Sequence, residues 1–238
     1  MMVLRLFALA LRDGLRLWRL APVIALIAIL PEFSQHVVEV KLGMFASRGA
    51  FAELAMNPER LGAALPKVLG MVFAMVFATR YWELAPQGLK WWSPKGIRWG
   101  AFLLAGVISS VPLLAGIVPV NETAKAVLSG LLFIATIPTI AYSTGALLGD
   151  RDMTLKAAYG SGWLISLRVA IFAAAVFVPL QWLHTQNHYW AMGLPDLPLW
   201  GMMVWDSLVV GVIATLMGTA MHHAYRAQGL YADLRPAS

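Results

Sequence analysis

The sequence predicts an all-α fold, a polytopic integral membrane bundle of about six transmembrane helices preceded by an N-terminal interfacial amphipathic helix. Three observations predict it. Of the 238 residues, 60% are hydrophobic and only 13% are charged, whereas soluble domains run near 25% charged. Six apolar stretches reach the roughly 20 residues a helix needs to cross a bilayer core. None of them shows the strict apolar–polar alternation of a membrane β-barrel.

The six stretches are approximately Leu20–Val38, Leu65–Leu84, Trp99–Val118, Ala126–Leu148, Leu164–Leu183 and Leu199–Met221. No polar segment between them is long enough for a separate soluble domain. Residues 1–238 therefore read as one membrane domain, with an interfacial helix at 1–20, the bundle at 20–222 and a cytoplasmic tail at 223–238. The chain has no Cys, which excludes disulfides, thiolate metal sites and cysteine nucleophiles.

Residues 4–20, "LRLFALALRDGLRLWRL", carry four arginines. At about 100° per residue, Arg5, Arg12, Arg16 and Arg19 fall within a stripe of about 60°. The remaining circumference is mostly Leu, Phe, Ala and Trp. That pattern suits a helix lying in the interface with its arginines on anionic headgroups. Pro22 marks the turn into the first span. The apolar run then leads to "PEFSQHVV" without a small-x-small cleavage site, so it reads as an uncleaved span.

Between spans one and two, Asn57, Pro58 and Glu59 form a helix start: a cap, a proline at the first helical position and an acid in the first turn. Pro66 is expected to bend the helix that follows. The loop at 80–98 mixes Tyr81, Trp82, Trp91 and Trp92 with four basic residues, a composition fit for the headgroup level. Basic and aromatic residues also grip single-stranded nucleic acid, but two flanking spans leave no place for it. Pro31, Pro112, Pro138 and Pro179 lie inside spans and should bend them.

Orientation follows from basic residues. With the N-terminus inside, thirteen of the 18 fall on the inner side. The five on the outer side are Lys41, Arg48, Arg60, Lys67 and Lys125. This bias predicts that both termini lie in the cytoplasm.

"GDRDMTLKAAYGSGWLISLR", residues 149–168, interrupts the apolar sequence with four charges in eight residues. It reads as a helix that begins at the surface, capped by Asp152 with Asp150 nearby, and runs into span five. Ala157, Ala158, Gly160, Ser161 and Gly162 form a patch that permits close helix packing. In "GDRDMTLKAAYGSGW" the chain resembles the uncharacterised YciC-like inner-membrane family. It is similar, too, to the membrane domain fused to some bacterial glycerophosphodiester phosphodiesterases. Ala157, Ala158 and Ser161 stand in the corresponding places, whereas Gly160 stands where the family tends to be basic. The resemblance implies an interfacial first helix, about six spans and an inner-membrane location. It brings no catalytic residues, because the phosphodiesterase chemistry of those proteins resides in a separate soluble domain.

Candidate chemistry is sparse. Asp206 in "MMVWDSLVV" is the most isolated charge, about 10 Å along span six at 1.5 Å per residue. An acid at such depth is costly and is a functional candidate; the competing reading is a residue near the interface, hydrated or hydrogen-bonded. It lies about 100° from the small-residue stripe Ser207, Gly211, Thr215, Gly218. Its expected partners are Lys67, Gln181 or His184, with Arg80 and Arg168 excluded because they sit at the opposite face. His184 and His188 in "HTQNH" share a helix face at metal-ligand spacing, but two ligands are not a site. They read as a polar helix end. His222 and His223 point to different faces near the cytoplasmic interface.

No catalytic, cofactor-binding or metal site is therefore assigned, and no cofactor is expected. The expected function is a non-enzymatic inner-membrane protein, lipid-interacting or an accessory subunit of a membrane complex. Its partners would be phospholipids, bound by Arg5, Arg12, Arg16 and Arg19, and a membrane protein or a second copy; nucleic acid is not expected. The alternatives are a small transporter or permease subunit using proline-bent helices, and an intramembrane enzyme using Asp206 and the histidines.

Overall fold

The computed structural model describes residues 2–227. Among them the chain is helical, with ten α-helices joined by turns and short 3-10 segments. Helix α1 spans Met2–Leu20 and α2 Pro22–Lys41, with Pro22 at its first position. Helix α3 (Arg48–Leu54) is capped by Ser47. Helix α4 (Pro58–Leu84) starts as expected: the Asn57 side chain accepts from the Glu59 N–H at 2.9 Å. Helices α5 (Trp99–Ser109), α6 (Glu122–Thr136), α7 (Thr139–Leu148), α8 (Leu155–Tyr159), α9 (Trp163–Ala191) and α10 (Asp196–Tyr225) follow.

Six continuous or broken helices are long and apolar enough to cross a membrane: 22–41, 58–87, 99–117, 122–148, 163–191 and 196–225. The chain is an all-α multi-pass membrane bundle. Most spans are longer than the apolar stretches alone suggest, because polar caps and first turns such as Asn57–Glu59 and Asn121–Glu122 extend them. The proline effects differ by position. Pro31, Pro66 and Pro179 stay inside helices, whereas the third span turns to 3-10 helix over Val111–Ile117 and the fourth breaks between α6 and α7 at Pro138. Of the residues expected as a tail, 223–225 instead end α10; residues 228–238 lie outside the described residues.

Helix α10 is the axis of the bundle. Of its apolar stretch 61% is buried, and no other span exceeds 39%. It packs against α9, α4, α1 and α2. The small-residue stripe makes this possible, since Gly211 meets Ile29 and Trp18 and Gly218 lies against the α4 backbone near Met75 and Thr79. Thr79 donates its hydroxyl to the Gly218 carbonyl at 3.0 Å. Trp18 and Trp82 donate their indole N–H groups to Thr215 and Thr219.

Helix α1 is amphipathic as expected, but its apolar face has a protein partner. Leu6, Ala10, Gly14 and Leu17 are buried, and this face lies along the C-terminal half of α10, where Gly14 lies against Leu216. Arg5, Arg12, Arg16 and Arg19 all point outward.

The polar interruption at 149–168 departs from expectation in its cap. Asp152 is exposed; Thr154 caps α8, accepting from the Ala157 N–H at 3.1 Å. Asp150 folds back to accept from the backbone N–H groups of Asp152 and Met153, which fixes the turn before the helix. The helix then stops at Gly160–Gly162 and restarts at Trp163. The elbow is two helices rather than one.

Candidate functional site: a buried acid–histidine centre

Three helices bring their polar residues to one place. On α2, Glu32, His36 and Glu39 recur at spacings of four and three, so they share one face with Gln35. On α9, His184, Asn187 and His188 do the same. Helix α10 contributes Asp206. Glu32, Gln35, His36, Glu39, Asn187 and Asp206 are at most 1% exposed, and His184 and His188 are 6% and 8% exposed. Asp206 lies ten residues into α10, about 15 Å from its start at 1.5 Å per residue.

Asp206 is the hub. Asn187 donates its amide to Oδ1 at 2.7 Å. Around Oδ2 stand His36 Nε2 at 3.0 Å, His184 Nδ1 at 2.7 Å and His188 Nε2 at 3.3 Å. His36 bridges onward, with Nδ1 3.0 Å from Glu39 Oε2 and Nε2 3.3 Å from Glu32 Oε1. The other two acids have cations. Arg60 donates to Glu39 at 2.9 Å and Lys67 lies 2.9 Å from Glu32, both from α4. Arg60 also donates to the Ala55 carbonyl, and Gln35 donates to Glu39 at 2.8 Å.

Asp206 is thus buried and hydrogen-bonded rather than hydrated. Its angular distance from the small-residue stripe does not expose it, because α10 is surrounded by helices. Of its expected partners, His184 is present, whereas Lys67 pairs with Glu32 and the Gln181 side chain makes no hydrogen bond with it. Arg80 and Arg168 are distant: Arg80 donates to the carbonyls of Leu147, Ser93 and Lys95, and Arg168 to that of Ala224. His184 and His188 are likewise not a polar helix end but part of the buried centre.

An aromatic layer covers one side of the centre. The rings of Phe45 and Phe51 both lie 5.9 Å from His188, and Gly193 N–H donates to the Phe45 carbonyl at 2.9 Å. On another side, a cleft of about 140 Å³ reaches His184 between Lys67, Met71, Phe177 and Gln181.

Compared with protein-family models, curated proteins and solved structures, the chain finds no match. The site therefore rests on geometry, and the YciC-like resemblance adds nothing to it.

The opposite end of α10 holds a second polar network. His223 meets Asp13 at 3.0 Å, and His222 lies 3.3 Å from Glu83. The two adjacent histidines do point to different helices, α1 and α4, but both are buried. Arg226 joins Glu83 at 2.9 Å to Asp150 at 3.3 Å, and Tyr225 donates its hydroxyl to Asp150. A cavity of about 570 Å³ opens beside these groups. Each carboxylate here has a hydrogen-bonded partner. The Asp206 centre differs: Glu32 Oε2 is buried without a hydrogen bond, and His184 Nδ1 and His188 Nε2 stand at 2.7 and 3.3 Å from Asp206 Oδ2 without a well-aligned one.

Proposed function

We infer that the chain is a bacterial cytoplasmic-membrane protein that binds a cation inside its helix bundle, at the centre formed by Asp206 and its histidines. The observation that carries this reading is the charge inventory of the buried cluster. Glu39 has Arg60 and Glu32 has Lys67, but Asp206 faces only histidines and an amide. An acid buried at depth is kept against its cost and marks a working site. Cation handling fits the transport and intramembrane-chemistry alternatives better than the accessory role.

The basic bias supports cytoplasmic termini, and with that orientation the centre falls in the outer half of the membrane. A second reading, contact with anionic lipid, is favoured by the exposure of Arg5, Arg12, Arg16 and Arg19 on α1. It coexists with the first.

The test is thermal unfolding of detergent-purified protein with Na⁺, Mg²⁺, Ca²⁺ or Zn²⁺ added in turn. At least one cation should raise the melting midpoint of the native chain. Asp206→Asn, which keeps the shape and removes the charge, should fold and lose the response. An Asp206→Asn protein that responds as the native chain does would refute the reading.

A further inference from the structure

We propose that Glu32, His184, His188 and Asp206 together hold one divalent transition-metal ion of the zinc, iron or manganese class. This deepens the cation-binding reading and rests on it. The four side chains come from three helices, and their ligand atoms all lie within 4.8 Å of one another. A tetrahedral site with bonds of about 2.0–2.1 Å has ligand–ligand edges of about 3.3 Å. His188 Nε2, at 3.3 Å from Asp206 Oδ2, already matches that edge, and His184 Nδ1, at 2.7 Å, lies inside it.

The second observation is independent of proximity. His184 Nδ1, His188 Nε2 and Glu32 Oε2 make no well-aligned hydrogen bond, although their residues are at most 8% exposed. Buried polar atoms are almost always hydrogen-bonded. Here they crowd together at poor angles for bonding one another, as groups do that share a third body. The supporting contacts leave one atom of each acid for that body. Asn187 takes Asp206 Oδ1; Oδ2 is bonded by His36 alone, which leaves its second lone pair toward His184 and His188, and Lys67 sits at Glu32 Oε1, so Oε2 is left over. His36 connects Asp206 to Glu39, the kind of outer contact that orients metal-binding carboxylates.

Charge and donor type choose the ion. A divalent cation held by Glu32, Asp206 and two neutral imidazoles carries no net charge as a unit, and the Lys67 ammonium beside Glu32 leaves the surroundings with one positive charge. Two nitrogen and two oxygen donors suit zinc, iron or manganese, whereas calcium and magnesium take oxygen. The Phe45–Phe51 layer keeps one side dry. The cleft beside Lys67 and His184 gives the ion a way in.

The experiment uses the full chain in detergent, purified on a tag without histidines, stripped with EDTA and passed through a desalting column. Zn²⁺, Co²⁺, Mg²⁺ and Ca²⁺ are then titrated, and retained metal is measured after gel filtration. The native chain should keep about one Zn²⁺ per chain, and Co²⁺ should give the strong visible absorption of a four-coordinate ion. His184→Gln, His188→Gln and Glu32→Gln should each weaken Zn²⁺ binding about tenfold or more. His222→Gln, at the other end of α10, should bind as the native chain does. Circular dichroism identifies which variants are folded, and the conclusion rests on those; if none of the three folds, the native-chain titration decides. Native protein that retains no Zn²⁺, or folded variants that all bind as tightly as it does, would overturn the proposal. Mg²⁺ or Ca²⁺ bound in place of Zn²⁺ would overturn it and leave cation binding standing; no cation bound at all would end both.

Discussion

Gly218 sets how close α4 can come to α10, and its replacement can be worked through atom by atom. A Cβ added there would stand 2.7 Å from the Ala78 Cβ and 3.0 Å from the Thr79 nitrogen, and nearer still to the Met75 carbonyl oxygen. Two of these three are backbone atoms, which no rotamer change can move, so the helices must part. Overpacking of this kind costs about 1–3 kcal/mol. Parting also stretches the Thr79 hydroxyl bond to the Gly218 carbonyl, worth about 1 kcal/mol. Alanine's better helix propensity returns about 1 kcal/mol. Gly218→Ala should therefore destabilise by about 1–3 kcal/mol. Gly201, on the same helix, has nothing within 4 Å of the added atom, so Gly201→Ala should gain up to about 1 kcal/mol. The two variants should differ by about 1–4 kcal/mol. At about 2–4 °C per kcal/mol, their melting midpoints in detergent should lie roughly 2–16 °C apart. Near-ultraviolet circular dichroism during a thermal ramp reads this directly. A Gly218→Ala protein that melts with Gly201→Ala, or above it, would refute the close crossing of α4 and α10.

Three further expectations follow from the packing and the charge pattern. Arg60→Met takes the arginine from the buried Glu39, leaving it Gln35 and His36, and should cost about 3 kcal/mol, while adding Glu39→Gln should recover part of that loss; a strictly additive double-mutant cycle in denaturant would contradict the pairing. Thr154→Ala removes the α8 cap and should cost about 1 kcal/mol, whereas Asp152→Ala should stay within about 0.5 kcal/mol; equal losses in the same unfolding assay would restore Asp152 as the cap. Reporter fusions at Ala124 and Met192 should report the outside and one after Ser238 the inside; a cytoplasmic signal at either of the first two would reverse the orientation.

The bundle was legible in the sequence because membrane-spanning length is a local property: some twenty apolar residues suffice to mark each helix. The Asn57–Pro58–Glu59 start was legible for the same reason. The centre was legible only in part. Asp206 stood out because nothing near it in sequence is charged, and His184 with His188 showed ligand spacing. Glu32, His36 and Glu39 escaped because "PEFSQHVVEV" looks like the polar fringe of a span expected to end at Val38. The signal was present in their spacing, since residues 32, 36 and 39 fall on one helical face. What no local pattern gives is that α2, α9 and α10 turn those faces toward each other. The same gap hid the burial of His222 and His223 and the packing of α1 on α10. The Thr154 cap was missed for another reason: Asp150 engages the turn first and leaves Asp152 outside it.

The central claim is that Asp206, His184, His188 and Glu32 form one cation centre, and X-ray absorption at the zinc edge of the loaded, detergent-purified chain tests it most directly. The predicted spectrum has a first shell of about four nitrogen and oxygen atoms at about 2.0–2.1 Å, with the outer-shell scattering of two imidazole rings. That imidazole signal should fall in folded His188→Gln. A first shell of oxygens alone, with no imidazole scattering and no change in His188→Gln, would contradict the account.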